Sequence, residues 1–114
     1  MNSFMTVDKI VSELCAVWLN TADPTRELRG VYCGDLLSWV MGRLEEGNAW
    51  VTIMNNVNII AVASLADASC VILAEDTEAG EDVIEKARSN SINLIKCKES
   101  SYEICCRLGK ILNG

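Results

Sequence analysis

The sequence predicts a small three-layer α/β domain in which a mainly parallel sheet is flanked by helices. Helix-like and strand-like patterns alternate along the chain, which is typical of parallel strands joined by right-handed crossovers. Residues 49–54 are a continuous β-rich run of the kind that is buried on both faces, and residues 70–74 predict another central strand. The chain has 114 residues and half of them are apolar. We therefore expect a single domain over residues 1–114, with a core large enough to need neither disulfides nor a metal.

The first third of the chain predicts one helix and two short strands. Residues 6–14 have the apolar spacing of a helix, and Thr6 is its expected N-cap. Residues 15–19 are a strand candidate. Turn-forming residues and the only proline make residues 20–25 a loop. Residues 28–33 are the second strand candidate.

The middle of the chain contains the clearest strand, over residues 49–54, between two helices. Asp35 is the expected N-cap of the first helix, over residues 36–44. The apolar residues that follow helical spacing here are Leu36, Leu37, Val40, Met41 and Leu44. The second helix, over residues 59–68, is apolar on nearly every side. We expect it to lie between the sheet and a partner surface.

The last third repeats the alternation. Residues 70–74 form a central strand, residues 75–80 an acidic turn, residues 81–90 a helix and residues 92–97 a further strand. Ser100 or Ser101 is expected to cap a final helix that has Glu103 near its start. The buried stripe of that helix is expected to be Ile104, Cys105, Leu108, Ile111 and Leu112.

Charge and residue usage exclude several classes of function. Ten Lys and Arg residues against sixteen Asp and Glu give a net charge of −6, the wrong sign for nucleic-acid phosphates or an anionic membrane. The chain has no His, so the usual general base and the commonest metal ligand are missing. Its glycines form neither a dinucleotide-binding fingerprint nor a phosphate-binding loop. We expect no catalysis, no cofactor, no nucleic acid and no membrane span, and a cytoplasmic location.

Six cysteines are present without the Cys-x-x-Cys spacing of a zinc or redox site. Reduced thiols that serve as small apolar side chains are the favoured interpretation. A regulatory thiol at Cys33 is the alternative. Asp35, Glu75 and Asp76 could converge on a divalent cation, but capping and a solvated turn explain them better, so no metal site is predicted.

Polar side chains follow the predicted strands, at the edge where ligands of open α/β sheets usually bind. Asp35 and Ser38 follow one strand, and Asn55, Asn56 and Asn58 follow the next. Helix capping explains the asparagines well, and binding of a phosphate, ribose or carboxylate is the alternative. A cluster of positive charge at Arg26, Arg29 and Arg43 serves either an anionic ligand or solubility. Trp39 is either core or a half-exposed contact residue.

Three segments together resemble the DRTGG domain: residues 26–41 (RELRGVYCGDLLSWVM), 49–54 (AWVTIM) and 58–65 (NIIAVASL). The most specific part is the pattern G-x-Y-x-x-D-L-L-S over residues 30–38. Arg26 and Gly30 match the motif that gives the family its name, whereas Thr25 and Val31 replace its Asp and its second Gly. Residues 55–57 stand where relatives tend to have Thr-His-Pro.

The resemblance implies a fold similar to the N-terminal domain of HPr kinase/phosphorylase, without that enzyme's catalytic domain. Similar modules are fused to phosphotransacetylases, accompany CBS domains in regulated pyrophosphatases, and stand alone in anaerobic bacteria. We therefore expect a non-catalytic regulatory or interaction module that is homodimeric through Trp39 and the helix of Ile59. The alternative is a sensor of a nucleotide or other anion. Its expected ligand-binding residues are Gly30, Tyr32, Asp35, Ser38, Asn55, Asn56 and Asn58.

Overall fold

Helices and strands alternate along residues 5–113, which are the residues that the computed structural model describes. The first half contains α1 (Val7–Glu13), β1 (Val17–Asn20), β2 (Val31–Cys33), α2 (Leu37–Arg43) and β3 (Ala49–Thr52). The second half contains α3 (Asn58–Ala66), β4 (Cys70–Leu73), α4 (Glu81–Ser89), β5 (Leu94–Lys96) and α5 (Ser101–Asn113). The order of elements is the predicted one.

The strands form one five-stranded sheet in the order β1-β5-β4-β3-β2. Strands β2 to β5 are parallel to one another, and β1 pairs antiparallel with β5 at the edge, with Val17 opposite Lys96. The mainly parallel sheet is therefore confirmed. Since β2 to β5 share one direction, their carboxyl ends meet at a single edge of the sheet.

Helices cover both faces of the sheet and give two separate cores. On one face, α1 and α5 pack on the side chains of Val51, Ile72 and Ile95. On the other face, α2, α3 and α4 pack on alternate strand residues, with the fully buried Trp50 at the centre. Every residue of β3 and β4 is buried, as their apolar runs predict. The three-layer prediction is confirmed.

The burial of helices α2 and α3 follows from their positions. Among the apolar residues at helical spacing in and beside α2, Leu36 and Met41 are 59% and 61% exposed, whereas Val40 and the C-cap Leu44 are buried. The reason is that α2 contacts α3 on one side and is the outermost helix of its layer. In α3, Ile59 faces the core while Leu65 is 84% exposed, and the partner surface expected for this helix stays a prediction.

Both N-terminal strands differ from their predicted limits for local reasons. Cys15 has a φ of 51°, so the chain leaves α1 through a left-handed residue and β1 begins two positions later than expected. The strand over 28–33 shortens to Val31–Cys33, because the Leu28 N–H donates to the Met5 carbonyl and the Arg29 N–H to the Gly47 carbonyl. Leu28 is thus bonded away from β3, whereas the Gly30 carbonyl still accepts from the Ala49 N–H at 2.9 Å.

The predicted caps have mixed outcomes. Ser100 caps α5 as expected: its Oγ accepts from the Glu103 N–H at 3.2 Å, and its own N–H donates to Glu103 Oε1 at 3.3 Å. This is the reciprocal arrangement of a capping box. Thr6 occupies the N-cap of α1, but its hydroxyl donates to the Asp8 carboxylate and makes no cap bond.

Buried Asn93 fastens the loop after β1 to the start of β5. Its Oδ1 accepts from the N–H groups of Ala22 at 2.9 Å and Asp23 at 2.8 Å. Its Nδ2 donates to the carbonyls of Asp23 at 2.7 Å and Ser69 at 3.0 Å. One side chain thus satisfies four backbone groups of two chain segments.

Among the helices of residues 5–113, none is long and apolar enough to cross a membrane.

Candidate functional site

The structure places most of the predicted ligand residues at the carboxyl edge of the sheet. Asp35 and Ser38 follow β2, and the asparagine cluster of residues 55–58 follows β3. Tyr32 lies within β2 with its ring against Gly34, where an added Cβ would come within 2.9 Å of the ring. Gly30 is the exception, because it precedes β2 and therefore lies at the opposite edge.

Asp35 is a cross-link between loops rather than the predicted N-cap of α2. Leu36 occupies the N-cap position and provides no side-chain cap. The Asp35 Oδ1 instead accepts from the Thr52 hydroxyl at 2.7 Å and from the Ile53 N–H at 2.8 Å. Thr52 is buried, and its Oγ1 also accepts from the Met54 N–H at 3.1 Å. Asp35 therefore ties the end of β2 to the end of β3.

The asparagines after β3 make bonds within the chain, as expected for turn residues, but the expected helix cap is absent, because Val57 occupies the N-cap of α3 without a side-chain bond. Asn56 Oδ1 accepts from the Asn58 N–H at 2.9 Å, which closes a turn at the start of α3. Asn55 Nδ2 donates to the Glu78 carbonyl at 2.7 Å and holds the loop before α4. These two side chains organise the edge, and a ligand would have to compete with the bonds that they already make.

The loop after β4 adds negative charge to this edge. Glu75 and Asp76 both have left-handed backbone angles, with φ of 59° and 56°. Lys96 Nζ, at the end of β5, lies 3.0 Å from Glu78 Oε2 and 3.5 Å from Asp76 Oδ1. The hydrogen bond to Glu78, opposed in part by desolvation, raises the pKa of Lys96 above its ordinary value. An anion would meet carboxylates here and a lysine that is already paired.

The proposed convergence of Asp35, Glu75 and Asp76 on a cation does not appear in the structure. Asp35 is directed to Thr52 and Asp76 to Lys96. Within residues 5–113, no group of three or more carboxylate or thiol side chains has the geometry to hold a metal ion. The bonds at this edge can position loops, and none of them prepares a reacting group.

Two of the three arginines of the positive cluster lie at the opposite, amino edge. A groove of about 380 Å³ there is lined by Asp23, Thr25, Arg26, Glu27, Arg29, Glu46 and Asp67. Arg26 donates from Nη1 to Asp67 Oδ1 at 3.1 Å and from Nη2 to the Asp67 carbonyl at 3.0 Å. Asp67 ends α3 with a left-handed φ of 59°, so Arg26 caps the C-terminus of that helix. The groove holds more carboxylates than guanidinium groups, which disfavours an anionic ligand.

An exposed stripe on α2 consists of Leu36, Trp39 and Arg43, which follow one another at helical spacing. Trp39 is 55% exposed, and the Arg43 guanidinium stacks on its ring, 3.9 Å from the centroid. Arg43 Nη1 also donates to the Trp39 carbonyl at 3.3 Å. The indole is therefore held in one orientation at the surface. Composition predicted core and contact roles for Trp39 with equal weight, and the structure favours the contact role.

The sequence did not identify the partners of these residues. Thr52 could have been singled out as the only hydroxyl in the buried strand of residues 49–54, at the point where the strand ends. Asp67 and Lys96 carried no local signal, because their partners Arg26 and Glu78 are distant in the chain.

Comparison with known proteins adds a family and a fold. The family model of the DRTGG domain matches residues 9–111. Comparison with curated protein sequences finds no match. The fold is similar to the crystal structure of the CBS and DRTGG domains of the regulatory region of Clostridium perfringens pyrophosphatase, complexed with its activator diadenosine tetraphosphate. The identity is 21% and the TM-score 0.75, and the match covers 90% of this chain and 45% of that one. The chain thus spans less than half the length of that structure.

Proposed function

The chain belongs to the DRTGG domain family, and from this premise we propose that it is a non-catalytic regulatory or interaction module that acts as a homodimer. The absence of His and the internal hydrogen bonds of Asp35 and Asn55 support a role without turnover. The expected likeness to the N-terminal domain of HPr kinase/phosphorylase belongs to the same proposal. According to this proposal, the module regulates an activity that another chain or domain carries. A cytoplasmic location fits the free thiols of the described chain.

The observation that carries the proposal is the exposed stripe on α2. Trp and Arg are the residues most enriched at the energetic centres of protein interfaces. Here the two are stacked on each other before any partner binds, so little side-chain freedom is lost on association. Leu36 extends the stripe, and the adjacent α3 contributes Leu65. The interface was expected to include the helix of Ile59, which is α3; Ile59 itself is fully buried in the monomer core, so Leu65 is the residue of α3 assigned to the interface.

Sedimentation or light scattering of the purified chain tests the homodimer. We expect a dimer at micromolar concentration and a weaker dimer for Trp39→Glu. Loss of a central interface residue costs about 2 kcal/mol or more, which is roughly a 30-fold rise in the dissociation constant. The matched control is Tyr102→Glu on α5, because Tyr102 is also an exposed aromatic residue, 77% exposed against 55% for Trp39, but lies on the opposite face of the sheet.

The two variants separate a specific interface from general surface hydrophobicity. At a concentration at which all three proteins are monomeric, both variants are expected to unfold at the temperature of the unmodified chain, since neither side chain is buried. A stable dimer should be fully formed at a concentration of about 100 micromolar. A chain that is strictly monomeric at that concentration contradicts the proposal. So does a dimer that survives Trp39→Glu and dissociates with Tyr102→Glu.

A nucleotide sensor is the second candidate, and the activator bound to the pyrophosphatase regulatory region favours it. Its site in this chain would be the carboxyl edge of the sheet, with Ser38 and Asn58 among the contacts. Thermal unfolding with diadenosine tetraphosphate, ATP and inorganic phosphate tests the idea. A ligand at 100 times its Kd adds about 2.7 kcal/mol, and a shift that Ser38→Ala diminishes would place the site. No shift with any of the three removes this candidate.

A further inference from the structure

Two thiols face each other across the contact between the edge strand β2 and helix α5. Cys33 is two residues beyond Val31 in β2, so both side chains lie on the same face of the sheet. Val31 packs on the core formed with α1 and α5, and Cys105 of α5 packs on that same core. Helix α5 lies against β2. The topology therefore brings together residues that are far apart in sequence.

The surroundings of the two thiols differ. Cys33 is exposed to solvent, whereas Cys105 is partly covered. Burial in the first place, and then the charge and hydrogen bond of the adjacent Cys33 thiol, raise the pKa of Cys105 to about 12, with a smaller contribution from Cys106. Cys106 is exposed, and its thiol raises the pKa of the Tyr102 hydroxyl one turn earlier on α5.

We propose that Cys33 and Cys105 are a site of reversible oxidation, at which a low-molecular-weight disulfide such as oxidised glutathione closes an intrachain disulfide between β2 and α5. The exposed Cys33 reacts first: its thiolate attacks one sulfur of the glutathione disulfide, and a glutathione thiolate leaves. Cys105 then loses its proton and attacks the Cys33 sulfur of the mixed disulfide, and the second glutathione leaves as a thiolate that takes up a proton. Two protein thiols are oxidised, and one disulfide is reduced to two thiols.

The packing around the two cysteines indicates what the disulfide would stabilise. A groove of about 510 Å³ lies between the start of β2 and the end of α5, and it is lined by Leu28, Arg29, Gly30, Val31, Gly109, Leu112 and Asn113. Cys33 is at the other end of β2, and Cys105 lies one turn before Gly109 in α5. A covalent bond between them would hold α5 on the sheet beside this groove.

Mass spectrometry of the full chain tests the site. The reduced protein is incubated with oxidised glutathione, and its remaining thiols are alkylated in denaturant. We expect four of the six cysteines to be alkylated. Before alkylation, the oxidised protein should be about 2 Da lighter than the reduced protein and should carry no bound glutathione, because the intrachain disulfide removes two hydrogens. Trypsin should then yield residues 30–43 linked to residues 99–107. Because the attacking form of Cys105 is the thiolate, loss of glutathione from the mixed disulfide should accelerate about tenfold per pH unit from 7 to 9.

Three variants assign the bond within peptide 99–107, which contains both Cys105 and Cys106. Cys33→Ser and Cys105→Ser should each abolish the intrachain disulfide, while Cys106→Ser should retain it. Cys33 is exposed, so its variant is expected to fold even if that of Cys105 does not. The proposal is overturned by a bond to Cys106 in the unmodified chain, by an interchain bond on a non-reducing gel, or by persistent glutathionylation of Cys33 without closure at every pH. Closure only in denaturant overturns it as well.

Discussion

The bond between Asp35 and Thr52 gives the sharpest test of how the carboxyl edge is built. Asp35→Ala removes the acceptor of two hydrogen bonds, from the Thr52 hydroxyl and from the Ile53 N–H. Thr52→Val keeps the shape of a buried side chain but removes the hydroxyl, and with it the bond accepted from the Met54 N–H. The two variants share one interaction, so a double-mutant cycle isolates it.

The expected magnitudes follow from these bonds. A hydrogen bond to a charged acceptor contributes about 1.5–3 kcal/mol, and the exposure of Asp35 places its bonds at the lower end. We expect Asp35→Ala and Thr52→Val each to lower the free energy of unfolding by about 2 kcal/mol. The double variant should lose about 1 kcal/mol less than the sum, because the shared bond is lost only once.

Urea unfolding followed by tryptophan fluorescence measures these differences, since the chain has three tryptophans. Glu45→Ala is the matched control, because this exposed carboxylate lies before the other end of β3. It should change the free energy of unfolding by no more than about 0.5 kcal/mol. A coupling energy below roughly 0.3 kcal/mol would refute the assignment of Asp35 as a structural cross-link. In that case, Asp35 would return to the list of candidate ligand contacts.

Three further substitutions test other parts of the fold. Asn93→Ala leaves four backbone groups without their partner and should lower the free energy of unfolding by about 3 kcal/mol. The control is Asn90→Ala at an exposed position, which should lower it by less than about 0.5 kcal/mol. Equal effects of the two substitutions would contradict the role of Asn93. Ser100→Ala removes the cap of α5 and should cost about 1 kcal/mol in thermal unfolding, and no change would argue against the capping box. Gly30→Ala forces a φ of 127° on an alanine and places its Cβ 3.1 Å from Asn48 Nδ2, so a loss of about 1–3 kcal/mol is expected by calorimetry; an unchanged melting temperature would show that the loop relaxes freely.

The sequence predicted best what depends on local pattern. The apolar runs of β3 and β4 and the capping box at Ser100 require only neighbouring residues, and all three are present in the structure. The exposure of Leu36 and Met41 depends instead on strand order, because β2 is an edge strand and α2 therefore has a helix beside it on one side. Helical spacing shows which side chains share a face, but it does not show how wide a face the neighbours will cover.

The candidate site follows the same division. The chain position of Asp35 and Asn55 after their strands was predictable from the alternation of elements. Their bonds were not, because Thr52 and Glu78 reach them only when the parallel strands align. The turn closed by Asn56 spans two residues, as does the bond from the Met54 N–H to Thr52 Oγ1, and local sequence could anticipate such contacts.

The pairing of β1 with β5 has a consequence for folding during protein synthesis. Val17 pairs with Lys96, which is synthesised roughly eighty residues later, and α1 shares its core with α5, which is synthesised later still. Strand β1 and helix α1 therefore lack these contacts until β5 and α5 have been synthesised. Folding should be slow for a domain of this size, and a truncation before α5 would leave α1 without the helix with which it shares its core.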